Sequence, residues 1–363
     1  MEKHEKDEKL KHGEGFKHNK HFRDDGPYQR VLDTIPEEEM EKARNAFKQY
    51  KFTDNVNSNL VLDYNLFIPE NYTKEKKYPL VIFMHDASLV GSNDIKCTLT
   101  RTIGGPIWAT EREQKKHQCF VLAPKYNEII IDDNHGKFSK SEYIDVTVRL
   151  IQKLTEDYSI DKDRIYSTGQ SMGAMTTLYL LANFQNLLAA GLVVDGQWKI
   201  DELQGLNNAT FTYFAAGSNG KAYRGQIEVK DYLSSLNLSY GILTDINAQD
   251  NIDVLNNITQ EMYSKKYSYN FIKFKDGSVL PKDSKDAHEH MSSFKYGFRI
   301  DKVRDWLFEQ NKVKCGENTY YSEDGKCANI NFCKVTNEDL ICKECIYGFY
   351  LDIQDNICKE KEI

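Results

Sequence analysis

Residues 161–180 read DKDRIYSTGQSMGAMTTLYL, and the fold turns on how that stretch is parsed. Arg164–Thr168 (RIYST) is short, aromatic and β-branched, as a buried strand is. Residues 172–184 are mostly apolar, with one early Gly and no Pro, and read as a helix. Between them stands Gly169-Gln170-Ser171-Met172-Gly173. A G-x-S-x-G turn from strand to helix is so tight that its flanking positions must lack bulk, and it lifts the central hydroxyl clear of the sheet edge. A phosphate-cradling loop would want a Lys or further glycines at the helix start, and neither is here. The stretch predicts a βα unit of a parallel sheet, with Ser171 presented at its turn.

The same alternation extends on both sides from about residue 60. Pro79–Met84 (PLVIFM), Cys119–Ala123 (CFVLA), Gly191–Val194, Phe211–Ala216, Tyr240–Leu243 and Asn270–Phe274 read as short strands. Ile144, Val148, Ile151 and Leu154 line one face of a helix over 142–158, and further helices are expected over 226–236, 251–264 and 294–310. Strands alternating with helices predict an α/β domain with a mostly parallel sheet.

The whole chain has 363 residues, enough for one large α/β domain with an appendage. Residues 1–25 hold seven Lys/Arg, seven Asp/Glu, four His and four apolar residues, too few of the last to offset ordering, so a disordered polar arm is expected there. The α/β domain is expected over 26–310. A net charge of −7 and no long basic stretch argue against nucleic acid as a partner. No run of about 18 apolar residues exists to span a bilayer.

The cysteines are uneven: Cys97 and Cys119 stand alone, whereas Cys315, Cys327, Cys333, Cys342, Cys345 and Cys358 crowd the end. An even count in so short a segment predicts a disulfide module over 315–363 rather than zinc, because only Cys342-x-x-Cys345 has metal-like spacing and the segment has no His. Disulfides imply an oxidising, secreted or cell-surface setting. Met1 is followed by Glu2, Lys3 and His4 rather than an apolar leader, so a natural signal peptide is expected to have been removed. Four N-x-S/T sequons, at Asn71, Asn208, Asn237 and Asn257, permit glycosylation without arguing for it.

A serine hydroxyl is inert near neutral pH unless a base takes its proton. Only His288 and His290 lie beyond Ser171, in DAHEHMSSF, after the last expected strand. A metal pair at the H-E-H spacing is disfavoured because no third ligand is near in sequence. Trp108 and Trp198 could line an acyl or aromatic pocket or pack in the core.

These pieces resemble an α/β-hydrolase-fold serine hydrolase, of the group that includes feruloyl esterases, polyhydroxybutyrate depolymerases and prolyl-oligopeptidase-like hydrolases. The carriers are NLFIPENY, KKYPLVIFMHDAS, CFVLAPKY, DKDRIYSTGQSMGAMTTLYL and EHMSSFKYGFRIDKVRDWLFEQ, spanning about 47–310. The resemblance implies Ser171 as nucleophile, His290 rather than His288 as base, and no cofactor. It implies an oxyanion hole from the N–H of Met172 and one from the loop at Asp86 or Ala87, where relatives often have Gly after the His. It places the acid at Asn219, a neutral stand-in for Asp, with Asp195, Asp245 and Asp250 as alternatives. The implied activity is carboxylic-ester hydrolysis through an acyl-enzyme. A peptidase is the alternative, as is a weakened hydrolase domain serving adhesion, which Asn219 would favour. The segment CKECIYGFYLD…NIC, over 342–358, resembles the furin-like or growth-factor-receptor-like repeats of protist surface and secreted proteins. That likeness implies a spacer, or a module that binds a protein or glycan.

Overall fold

A computed structural model describes residues 35–184, 186–281 and 288–312, together with the backbone of six short strands further on. Nine strands form the main sheet: β1 (Lys48–Thr53), β2 (Val61–Phe67), β3 (Tyr78–Met84), β4 (Phe120–Lys125), β5 (Ile160–Gln170), β6 (Ala190–Val194), β7 (Phe211–Ala215), β8 (Gly241–Ile246) and β9 (Tyr269–Phe274). Their spatial order is β1-β2-β4-β3-β5-β6-β7-β9-β8. β2 runs antiparallel to both β1 and β4, and every other pairing is parallel.

All residues of β3, β6, β7 and β9 are buried, which is why β3 and β6 are continuous apolar runs rather than alternating ones, while β7 and β9 carry buried Thr212, Asn270 and Lys273 among apolar residues. The alternation survives in where the side chains go. Leu80, Ile82 and Met84 join one core with the helices α3 (Tyr143–Asp157), α4 (Met172–Asn183) and α5 (Lys221–Ser235). Val81 and Phe83 face the other core, with α1 (Glu37–Ala46), α6 (Ile252–Ser264), α7 (Glu289–Arg299) and α8 (Asp301–Phe308). A shorter helix, α2 (Glu111–Lys116), lies between β3 and β4 in the chain.

The expected strands are present, and α1, β1 and β2 add a helix and two strands that the reading from residue 60 did not anticipate. The expected helix over 294–310 is instead two helices broken at Ile300, whose backbone is extended (φ −76°, ψ 114°). The break lets the buried Arg304 guanidinium reach back to the Phe298 carbonyl while also meeting Asp301 and, at 2.9 Å, Glu113 of α2. A continuous helix would commit the Phe298 carbonyl to its own ladder.

Trp108 and Trp198 are buried, their N–H groups donated to the Gly104 carbonyl and to Glu202, so they are core residues rather than lining of an open pocket. Cys97 and Cys119 are free and buried, and burial raises both thiols, Cys119 to about 12, which makes them unreactive. Beyond Lys312 the short strands pair as three antiparallel ribbons, the middle one placing Cys333 opposite Cys345 along the backbone. The arm over 1–25 and the tail's disulfides lie outside the described residues and side chains. Among the described residues, no helix is long and apolar enough to cross a membrane.

Candidate active site

The turn between β5 and α4 behaves as its glycines demand. Ser171 has φ 51° and ψ −116°, a left-handed conformation costly for any residue with a side chain. The turn is held because its neighbours approach closer than side chains would permit. A Cβ on Gly173 would sit 1.9 Å from the Met84 carbonyl oxygen, and one on Gly169 would sit 2.4 Å from the Gly173 carbonyl. Gly196 likewise lets its own segment pass the Ser171 carbonyl, where a Cβ would lie 2.7 Å away. The Ser171 N–H donates to the Val194 carbonyl at 3.1 Å, fastening the elbow to the end of β6.

His290 lies in the first turn of α7, which docks across the carboxyl ends of the central strands. Its Nε2 lies 2.8 Å from the Ser171 hydroxyl oxygen. Its Nδ1 lies 2.6 Å from Asp195 Oδ2. Asp195 directly follows β6, has φ 55°, and is almost wholly buried. Its other oxygen accepts the Ala216 N–H at 2.8 Å, and its own N–H donates to the Phe214 carbonyl at 3.0 Å. The carboxylate is therefore fixed on both sides before it meets the imidazole. With Asp195 at Nδ1, that nitrogen carries the proton and Nε2 offers its lone pair to the serine.

The expectation that Asn219 fills the acid position is corrected here. Asn219 is exposed on the turn after β7, and Asp195, on the strand beside the elbow's own, meets the histidine instead. Asp245 is exposed near Lys273, and Asp250 accepts a hydrogen bond from Asn247, so neither reaches His290. His288 is exposed at the cap of α7. Among the described residues, no cluster of three His, Cys, Asp or Glu is placed to hold a metal ion.

The backbone N–H groups of Met172 and Ala87 belong to the two segments that meet at Ser171. Met172 is the first residue of α4, so its N–H lies ahead of the helical hydrogen-bond pattern. Ala87 opens the short 3₁₀ turn Ala87–Leu89 after β3 and is exposed. The close contact of Gly173 with Met84 brings the segment that follows Met84 alongside the elbow. His85 supports that segment from behind: its Nδ1 donates to the Asp86 carbonyl at 2.7 Å and its Nε2 accepts the Tyr126 N–H at 3.0 Å. Burial lowers its pKa, consistent with a neutral ring in a structural role.

Sequence reading did not find Glu289. Its carboxylate accepts the Gly277 N–H at 2.8 Å, so the residue before His290 ties α7 to the turn after β9. Burial raises the Glu289 pKa, with Asp276 and Asp195 adding to it. Only its place next to a candidate histidine could have signalled it.

No protein-family model and no curated protein matches the chain. Among solved structures it is similar to a thermostable esterase, with a TM-score of 0.57 and 22% identity over 75% of this chain and 64% of that one. The chain thus spans less than two thirds of that esterase. A mutant of the feruloyl esterase module from Clostridium thermocellum, complexed with sinapinate, aligns at a TM-score of 0.48 and 14% identity, covering 81% and 96% of the two chains. Porphyromonas gingivalis dipeptidyl peptidase 4 aligns at 0.46 and 11%, covering 73% and 35%. The sheet order, with helices on both faces, and the likeness to the thermostable esterase make this an α/β-hydrolase fold.

Proposed function

We propose that this chain is a serine hydrolase that cleaves carboxylic esters through an acyl-enzyme on Ser171. The observation that carries the proposal is His290 bridging Ser171 at 2.8 Å and Asp195 at 2.6 Å. In this reading His290 Nε2 takes the hydroxyl proton as the serine oxygen attacks the acyl carbon. The carbonyl oxygen becomes an oxyanion, received by the N–H groups of Met172 and Ala87. Collapse of the intermediate expels the alcohol, which collects the proton from His290. Water then repeats the sequence against the acyl-enzyme and frees the acid. Asp195 holds the imidazole tautomer and offsets the positive charge the ring gains.

The reading as a weakened domain kept for adhesion rested on a neutral acid at position 219. A buried aspartate against the histidine supports an active enzyme instead. A peptidase would use the same residues, and the substrate panel below separates the two. The secreted or surface setting is part of the proposal and rests on the six tail cysteines, as does a spacer or binding role for the tail.

A fluorophosphonate probe tests the core of the proposal, because it labels only a serine whose base is in place. Labelling of the wild-type chain and its loss in Ser171→Ala are expected. Equal labelling of the two would refute the assignment. Short-chain, long-chain and aromatic esters, with a dipeptide amide alongside, then identify the substrate, and faster turnover of the amide would favour the peptidase.

A further inference from the structure

The proposed oxyanion hole has two halves on different segments, one at the start of α4 and one in the loop after β3. Donors of this kind act only if they converge on one oxygen before the reaction begins. Two buried side chains join the segments. Asp86 and Gln170 are 3% and 4% exposed. Gln170 Nε2 donates to Asp86 Oδ2 at 2.7 Å, and Asp86 Oδ1 accepts the Ser88 N–H at 2.9 Å. One carboxylate thus folds the turn that contains Ala87 and fastens that turn to the residue immediately before the nucleophile. With the Ser88 N–H engaged by Asp86, the Ala87 N–H is the one left at the head of the turn.

We propose that Gln170 and Asp86 are positioning residues that set the spacing of the oxyanion donors, an inference that rests on the Ser171 reading above. The clamp is geometric, and its chemistry specifies which replacements break it. Gln170→Met leaves a buried carboxylate oxygen without its donor. Gln170→Glu replaces the amide donor with a second carboxylate, which repels Asp86 when both are charged and bonds to it only through a shared proton. Asp86→Asn alone preserves the link, because the Gln170 amide can turn so that its oxygen accepts from the new amide. The double replacement Asp86→Asn with Gln170→Glu rebuilds an amide–carboxylate bond with the roles exchanged.

The test uses the full chain, with rates of fluorophosphonate labelling, kcat and KM on p-nitrophenyl acetate, and thermal midpoints. Gln170→Met and Gln170→Glu should each slow labelling and lower kcat by about ten- to a hundredfold, with KM changed by less than about twofold, because the loss falls on the transition state. Asp86→Asn should lose less than either Gln170 variant, and the double variant should recover most of what Gln170→Glu loses. A merely structural role would lower the midpoint without this reciprocal recovery. The inference is overturned if both Gln170 variants label and turn over within about twofold of wild type. It is also overturned if the double variant folds and is no faster than Gln170→Glu. Should Gln170→Met fail to fold, the Gln170→Glu and double variants decide. Labelling of Ser171→Ala, by contrast, would remove the Ser171 reading itself.

Discussion

Asp195 shows how one residue decides what the site can do. A carboxylate, not an amide, faces the imidazole, so Asp195→Asn should lower kcat by about ten-thousandfold while the fold survives, since the ring loses its tautomer and its counter-charge. Asn219→Asp, at an exposed turn, should change kcat by less than about twofold. Assays of the two variants side by side check the assignment, and the opposite pattern would restore Asn219 to the site. Ser171 was legible because the elbow is local: five consecutive residues state its geometry. The acid was not, because it is brought in by strand order, and nothing in the stretch GLVVDG announces that β6 lies beside the strand carrying the serine. The usable signal was an Asp followed by Gly at the end of a fully apolar strand.

Elements are where small groups hold large pieces in register. Gly173→Ala would drive a Cβ into the Met84 carbonyl, and α4 cannot retreat without moving the nucleophile. The expected result is destabilisation of about 3 kcal/mol, with activity lost in whatever remains folded, read by chemical denaturation and labelling. Asp305 of α8 joins that helix to the end of α2 through His117 at 2.9 Å, and the His117 ring stacks on Phe308. Burial alone would raise the Asp305 carboxyl, but His117, Lys116 and Lys302 outweigh it and bring it down to about 2. A carboxyl lowered in the fold stabilises it above the unfolded pKa of about 3.9, and that stability is lost as pH falls towards 2. Asp305→Asn should therefore lower the midpoint at pH 6 yet leave it nearly unchanged at pH 2, so that the two stability curves meet on the acid side. The break at Ile300 escaped the sequence reading because apolar periodicity continues across it. What accompanies it is a buried arginine, Arg304, whose partners are spread over three helices: the Phe298 carbonyl of α7, Asp301 of α8 and Glu113 of α2.

For the whole molecule, the sheet is complete by α8, and the chain is still fastened at Lys312. The Lys312 N–H donates to the Asp163 carbonyl, its Nζ donates to the Asn186 carbonyl at 2.8 Å, and the Tyr166 hydroxyl donates to the Gln310 carbonyl. A chain ending at Lys312 should fold, label at Ser171 and melt within about 2 °C of the full chain, whereas one ending at Phe308 should melt lower by about 2–4 °C, because a kilocalorie or so of ties is lost. Scanning calorimetry separates these outcomes. The overall architecture was the most legible feature, since buried parallel strands announce themselves as short, mostly apolar runs between helical stretches. The leading elements α1, β1 and β2 were the least so: β1 is an edge strand whose side chains are mostly exposed, and its sequence, KQYKFT, carries little apolar signal.

The fastening of Ser171 to the end of β6 has a consequence for deuterium uptake. The Ser171 amide is spent on the Val194 carbonyl, whereas the Met172 amide one residue later precedes the helical ladder. In the free protein, Ser171 should therefore exchange only with openings of the sheet, while Met172 exchanges readily from the folded state. Once a phosphonate is bonded to Ser171, with fluoride expelled, its phosphoryl oxygen gives the Met172 amide an acceptor and the contrast should vanish. Two adjacent amides would thus record, without any turnover, whether the serine carries an adduct.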